Sequence, residues 1–167
     1  AGHEELSDNE RALIDDVFEA DDREIKEVMT PRTEVEFLDA ESTIPDAALV
    51  VEKLPHTKYP VINKTADEIV GFVHVRQLLS LEARKSSKQL RDIAIAVESI
   101  PGTTSVLSAL AQMRNGNQHL LIVADEYGGT AGIVTLDDLV EELIGDIRHE
   151  DDEPENEVSD LDFHGEV

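Results

Sequence analysis

The chain has 167 residues, no cysteine and a net charge of −24, from 38 acidic and 14 basic residues. Disulfides, thiolate metal sites and cysteine nucleophiles are excluded, and so few lysines and arginines argue against nucleic acid as a partner. Hydrophobic residues make up 40% and aromatics only 4%, with no Trp, so the core must be aliphatic, while no apolar run approaches the roughly 20 residues of a membrane span.

Residues 1–28 read as an acidic helix. Ser7 and Glu10 have capping-box spacing, and Leu13, Ile14, Val17 and Phe18 share one face. Ile25 and Val28 extend a similar stripe. Pro31 in Met29-Thr30-Pro31-Arg32-Thr33 ends it, because proline disfavours helical geometry in the preceding residue. Val35 to Leu38 is then predicted as a strand and Ser42 to Leu54 as a helix with Pro45 in its first turn. Tyr59 to Ile62 is a strand entered through Pro60, Asn63 to Glu68 a turn, Ile69 to Val73 a strand, and His74 to Glu82 a helix. A Lys- and Ser-rich linker covers 83–89.

The order then recurs. An extended piece around Ala96–Ile100 leads to a helix ending at Met113 and capped by Thr103 or Thr104. His119 to Ala124 is a strand, Asp125 to Thr130 a turn, and Ala131 to Val134 a strand. Thr135 opens a last helix, which Gly145 is expected to stop. From His149 onward there are nine acids and no Lys or Arg, which reads as a solvated acidic tail.

The two halves match each other. Ile69-Val70-Gly71-Phe72-Val73-His74 aligns with Thr130-Ala131-Gly132-Ile133-Val134-Thr135 at an offset of 61 residues, and Tyr59 to Ile62 aligns with Leu120 to Val123 at the same offset. Tandem repeats bury their open faces on each other, leaving clefts built from the middle of one half and the strand–helix turn of the other, natural places for a small molecule.

Three segments carry a resemblance. Val28-Met29-Thr30-Pro31-Arg32-Thr33, His56-Thr57-Lys58-Tyr59-Pro60-Val61 and the run DEYGGTAGIVTLDDL (Asp125 to Leu139) are similar to the CorC/HlyC family, which includes the CNNM and CorB magnesium transporters. The resemblance covers about residues 5–150. It implies an α+β tandem CBS-domain pair, or Bateman module, of two pseudo-symmetric β-α-β-β-α repeats preceded by an acidic helix. The divisions are a connector helix at 1–28, the first repeat at 29–82, the linker at 83–89, the second repeat at 90–148 and the acidic tail at 149–167. It further implies the regulatory part of a divalent-cation (Mg/Co) transporter, a soluble fragment on the cytoplasmic side of the membrane. A membrane domain would precede it, and two modules would pair as a homodimer.

By the same resemblance, one composite cleft would bind an adenine nucleotide, ATP or AMP, with Mg²⁺ as a possible companion. Thr30, Thr33 and Val35 would contribute from near the first strand. His56, Thr57, Lys58, Tyr59 and Pro60 would contribute from before the second. Thr135 and Asp138 would complete the site from the other repeat. Asp138 would accept hydrogen bonds from ribose hydroxyls, Thr135 and its helix N-terminus would meet a phosphate, Lys58 or Arg32 would offset phosphate charge, and Tyr59 or neighbouring aliphatics would pack on the base. At the pseudo-equivalent positions stand His74 and Gln77, and Gln77 lacks the carboxylate that chelates a diol, so one site per chain is expected.

Plainer readings exist for the same residues. Thr135 and Asp138 also make an ordinary N-cap and first-turn acid. Tyr59 can be a half-buried strand residue. His56, His74 and His119 have no helical ligand spacing, so no metal site is expected. The sequence contains no Walker-type phosphate loop, HExxH or GxSxG signature, so no enzyme is expected. A ligand-free dimerisation module and a direct Mg²⁺ sensor acting through carboxylates are the competing functions.

Overall fold

The computed structural model describes residues 7–12 and 23–151. The predicted stripe Leu13, Ile14, Val17 and Phe18 and the tail beyond residue 151 lie outside them. Residues 8–12 are helical, and the capping box forms: the Ser7 amide donates to Glu10 Oε2 and the Glu10 amide to Ser7 Oγ, both at 3.2 Å.

From residue 25 the elements are α1 (Ile25–Val28), β1 (Thr30–Pro31), a 3₁₀ turn (Arg32–Glu34), β2 (Leu38–Asp39), α2 (Ile44–Val51), β3 (Lys58–Asn63), β4 (Thr65–His74), α3 (Val75–Leu79), α4 (Leu81–Arg84), α5 (Leu90–Ile93), β5 (Glu98–Pro101), α6 (Val106–Asn115), β6 (Leu120–Ala124), β7 (Thr130–Thr135) and α7 (Leu136–Asp151). This is the mixed α+β architecture expected, with two sheets, one built from β2 to β4 and one from β5 to β7 with β1 added at its edge.

The first sheet runs β2-β3-β4, parallel then antiparallel. The second runs β1-β7-β6-β5, so its edge strand comes from the start of the chain. The first sheet receives a reciprocal visitor: Ile95 bridges Phe72 on β4, as Thr30 pairs with Ile133 on β7. The crossings are tight. A Cβ at Gly71 would lie 2.5 Å from the Ile95 carbonyl oxygen, and one at Gly132 would fall on the Thr30 carbonyl oxygen. Glycine is therefore required at both places for the close backbone approach.

The exchange reaches the cores. Leu90 is buried among Leu38, Ile44, Val51, Tyr59, Val73 and Leu78 of the first lobe. Ile25 is buried among Val106, Met113, Leu121, Val134 and Leu139 of the second. Backbone bonds fix both: the Ile25 amide donates to the Thr104 carbonyl at 2.8 Å, and the Leu90 amide to the Ser42 carbonyl at 2.9 Å. The divisions at 28 and 90 are thus boundaries of sequence, not of folded lobes. Each lobe is completed by the entry helix of the other.

A third cluster, Phe72, Leu120, Ile122 and Ile133, lies where the sheets face each other. Alternate residues of β6 therefore serve opposite layers: Leu121 and Val123 face their own core, Leu120 and Ile122 the other lobe. Burial on both faces explains why this strand reads as a continuous apolar run.

Several boundaries moved. Of the strand expected at Val35–Leu38 only Leu38 is in a strand; Val35 to Phe37 are irregular chain that leaves a 3₁₀ turn at Arg32–Glu34, where the Val35 N–H closes onto the Arg32 carbonyl. The helix expected over His74–Glu82 breaks at Ser80, whose extended backbone caps α4 through Oγ. Ser105, not Thr103 or Thr104, caps α6, since Thr104 is committed to a turn with Pro101 and to the bond with Ile25. Gly145 does not end α7. The buried Leu139 and Leu143 carry the helix past it, and an interior glycine costs only about 1 kcal/mol.

Candidate functional site

A cleft of about 630 Å³ opens between the lobes beside the start of α7. It is lined by Thr30 and Val35 from the first segment, His56, Thr57, Lys58 and Pro60 around the start of β3, and Thr135 and Asp138 from the end of β7 and the first turn of α7. Eight of the ten predicted residues thus meet in one cavity.

Two do not line it. Tyr59 is fully buried in the first lobe. Its hydroxyl accepts from the His56 amide at 3.0 Å and donates to the His56 carbonyl at 2.9 Å, and burial pushes its pKa up. The reason is strand alternation: with Lys58 and Pro60 turned to the cleft, Tyr59 must face the core. It braces the Pro55–Thr57 lip and cannot stack on a base. Thr33 is exposed on the 3₁₀ turn, outside the lining. Arg32 does not line the cleft either. Its Nη1 lies 2.6 Å from Asp67 Oδ1.

Thr135 accepts a hydrogen bond from the Asp138 amide at 3.2 Å. The capping role is therefore real, and it leaves the hydroxyl proton free to donate into the cleft. Asp138 points an exposed carboxylate into the same space. Lys58 Nζ sits 3.7 Å from Asp137 Oδ2 with only 10% of its side chain exposed.

Sequence reasoning missed most of the acidity. Glu34, Glu36, Asp137, Glu141 and Glu142 join Asp138 around the cavity, against Lys58 alone among the described residues. The signal was available, because Asp138, Glu141 and Glu142 fall at i, i+3 and i+4 on one helix face. In a chain this acidic, that spacing did not stand out.

The pseudo-equivalent turn differs in chemistry, as expected. His74 Nδ1 accepts from the Arg76 amide at 3.1 Å, so the ring proton belongs on Nε2. Burial first, then Arg76, Lys58 and His119, lower the His74 pKa and favour the neutral ring. Gln77 Oε1 accepts from the His74 amide at 2.8 Å, and its Nε2 donates to the Ile93 carbonyl at 3.1 Å. The Gln77 amide is spent on holding the entry helix of the second repeat.

Among the described residues no group of His, Cys, Asp and Glu is arranged to hold a metal ion by itself, and no helix is long and apolar enough to cross a membrane. A larger groove of about 950 Å³ lies between α6 and α7, lined by Leu107, Leu110, Val140 and Ile144 among others.

Residues 25–84 and 90–145 each match the CBS domain family. The UPF0053 protein YrkA of Bacillus subtilis is 32% identical over 160 residues, covering 90% of this chain and 36% of its own length. A hemolysin C homolog of Rickettsia rickettsii is 32% identical over 146 residues, covering 87% of this chain and 49% of its own length. The chain thus spans between about a third and a half of these curated relatives. Among solved structures, the CBS domain of a bacterial CNNM/CorC family Mg²⁺ transporter in complex with ATP is similar at a TM-score of 0.75 and 31% identity, covering 82% of this chain and 98% of that one. With two matched repeats, reciprocal entry segments and a cleft between the lobes, the chain belongs to the CBS-domain family, as a tandem pair of the CNNM/CorC type.

Proposed function

We propose that this CBS pair is a non-catalytic regulatory module of a divalent-cation transporter, and that it binds an adenine nucleotide, ATP or AMP, in the cleft between its lobes. The observation that carries this reading is the meeting of Thr135, Asp138 and Lys58 in one cavity, while the equivalent Gln77 is consumed by internal bonds. Asp138 takes the ribose hydroxyls, because a carboxylate accepts two donors better than any neutral group. Thr135 and the first turn of α7 face a phosphate. Lys58 exchanges Asp137 for that phosphate. Pro60, Val35 and Ile133 supply the apolar wall for the base in place of Tyr59. The ATP complex of the similar transporter domain supports this ligand class.

The same cleft explains why Mg²⁺ belongs in the reading. Six carboxylates against one lysine repel a bare polyphosphate. A divalent ion carried on the phosphates, which takes oxygen ligands and keeps its own waters, reduces that repulsion. The six carboxylates equally favour a second reading, a direct Mg²⁺ sensor. Apolar side chains exposed on the helices, Leu49, Val50 and Leu79 on one lobe and Val140 and Ile144 on the other, support pairing of two modules as a homodimer. The membrane domain of the full-length protein, with the module on its cytoplasmic side, is the partner that receives the signal.

Thermal unfolding with ATP, ADP, AMP and Mg²⁺, singly and combined, tests the proposal. A ligand at 100 times its Kd adds about 2.7 kcal/mol. The expected result is a shift with nucleotide, larger with Mg²⁺ for ATP, that disappears in Asp138→Ala. No shift with any nucleotide sinks the reading, and a shift with Mg²⁺ alone replaces it with the sensor.

A further inference from the structure

We propose that Asp67 and Arg32 form a latch outside the cleft that holds its two walls in register for the ligand, so that both are positioning residues for binding. This rests on the nucleotide reading above. One oxygen does the joining. Asp67 Oδ1 accepts from Arg32 Nη1 at 2.6 Å and from the Thr130 amide at 3.1 Å. Arg32 opens the 3₁₀ turn between Thr30 and Val35, and Thr130 starts the strand that ends at Thr135. A single carboxylate on β4 of the first lobe therefore fastens both the segment carrying Thr30 and Val35 and the strand carrying Thr135, which are already paired to each other through Thr30 and Ile133, to the lobe that carries His56 to Pro60. Neither Arg32 nor Asp67 lines the cavity.

The surroundings are built around this contact. A Cβ at Gly129 would lie 2.9 Å from Asp67 Oδ1 and 2.8 Å from Asp125 Oδ2, so two carboxylates converge on a glycine and a side chain there would have to displace one of them. Asp125 Oδ1 in turn accepts from the amides of Tyr127 and Gly129 at 2.9 and 2.8 Å, which fixes the turn leading into Thr130.

The latch is also one-sided. At the 61-residue offset the counterpart of Asp67 is Gly128. Thr30 against Ile133 corresponds to Ile95 against Phe72, so the counterpart of Arg32 is Val97. The reciprocal crossing has neither partner. The latch therefore belongs to the cleft that owns Thr135 and Asp138. A pair whose side chains are 40% and 49% exposed adds little to global stability, which gives it a positioning role more than a stabilising one.

Isothermal titration with Mg²⁺-ATP and with AMP tests this on wild type, Asp67→Asn, Arg32→Gln, the double variant and Arg32→Lys. Each neutral single variant is expected to weaken binding about threefold to fivefold, the scale of an exposed pair. The double variant is expected to bind no worse than the weaker single. Arg32→Lys, which keeps the charge, recovers part of the loss, and the unliganded melting temperatures stay together. Wild-type affinity in either single variant, losses that multiply in the double, or melting temperatures that fall in step with affinity overturn the latch alone. If wild type binds neither nucleotide, the nucleotide reading fails and the latch fails with it.

Discussion

Replacing Gly132 with Ala is the sharpest test of the crossed architecture. The added methyl would sit on the Thr30 carbonyl oxygen and within 2.9 Å of Met29 Sδ. The methionine end can move, but the carbonyl belongs to backbone paired in the second sheet. Relief therefore requires β1 to leave β7. Overpacking of this kind costs about 1–3 kcal/mol, and a lost backbone hydrogen bond adds roughly 0.5–1.5 kcal/mol. A destabilisation of about 3 kcal/mol lowers Tm by roughly 10 °C for a domain of this size. Because β1 carries Thr30 and leads to Val35, nucleotide affinity should fall as well. Thermal denaturation by circular dichroism, with titration calorimetry on the same samples, reads both. A variant that melts within about 2 °C of wild type would show that β1 is not held against β7 as described, and the cleft wall built on it would go too.

Gly145→Ala should act in the opposite sense. An added Cβ meets nothing within 4 Å inside α7, so a gain of about 0.5–1 kcal/mol is expected in chemical denaturation, and a loss would contradict a continuous helix. Tyr59→Phe removes both hydroxyl bonds to His56 and should cost about 1–2 kcal/mol while weakening binding through the loosened lip; unchanged stability and affinity would refute the bracing role. His74 supplies a pH dependence. Its folded pKa lies below the ordinary 6.5, so the unfolded chain binds the proton more readily. Its contribution is complete above pH 6.5 and declines as pH falls from there toward the folded value. His74→Asn, which can keep the cap, should flatten that part of the Tm-against-pH curve, and an unchanged curve would refute the assignment.

The strand–helix turn at Gly132 to Asp138 was legible because its chemistry is local. A threonine, two carboxylates and an apolar period of 3.6 announce a capped helix wherever they occur, and the repeat offset showed which copy kept them. What escaped was set by contacts distant in sequence. Ile25–Val28 is a single turn whose place is decided by Thr104 and Gly102, about 80 residues away by chain count. Arg32 looked like a phosphate ligand until Asp67 claimed it. Tyr59 is a different failure. Lys58 and Tyr59 are neighbours on one strand, so period-two alternation already forbade both from facing the cleft.

The exchanged entry helices also govern the order in which the molecule can be made. The first lobe lacks Leu90 until the short segment that follows its own last helix, Leu81–Arg84, has left the ribosome. The second lobe needs Ile25, among the earliest of the described residues to emerge. The nascent first repeat must therefore wait with an unfilled core, and the segment around Ile25 must wait unclaimed until Val106, Leu121 and Leu139 arrive. The lobes therefore close in order: the first once Leu90 and Ile93 are out, the second only when its last helix has arrived to cover Ile25, and a chain truncated before Leu90 leaves both cores incomplete.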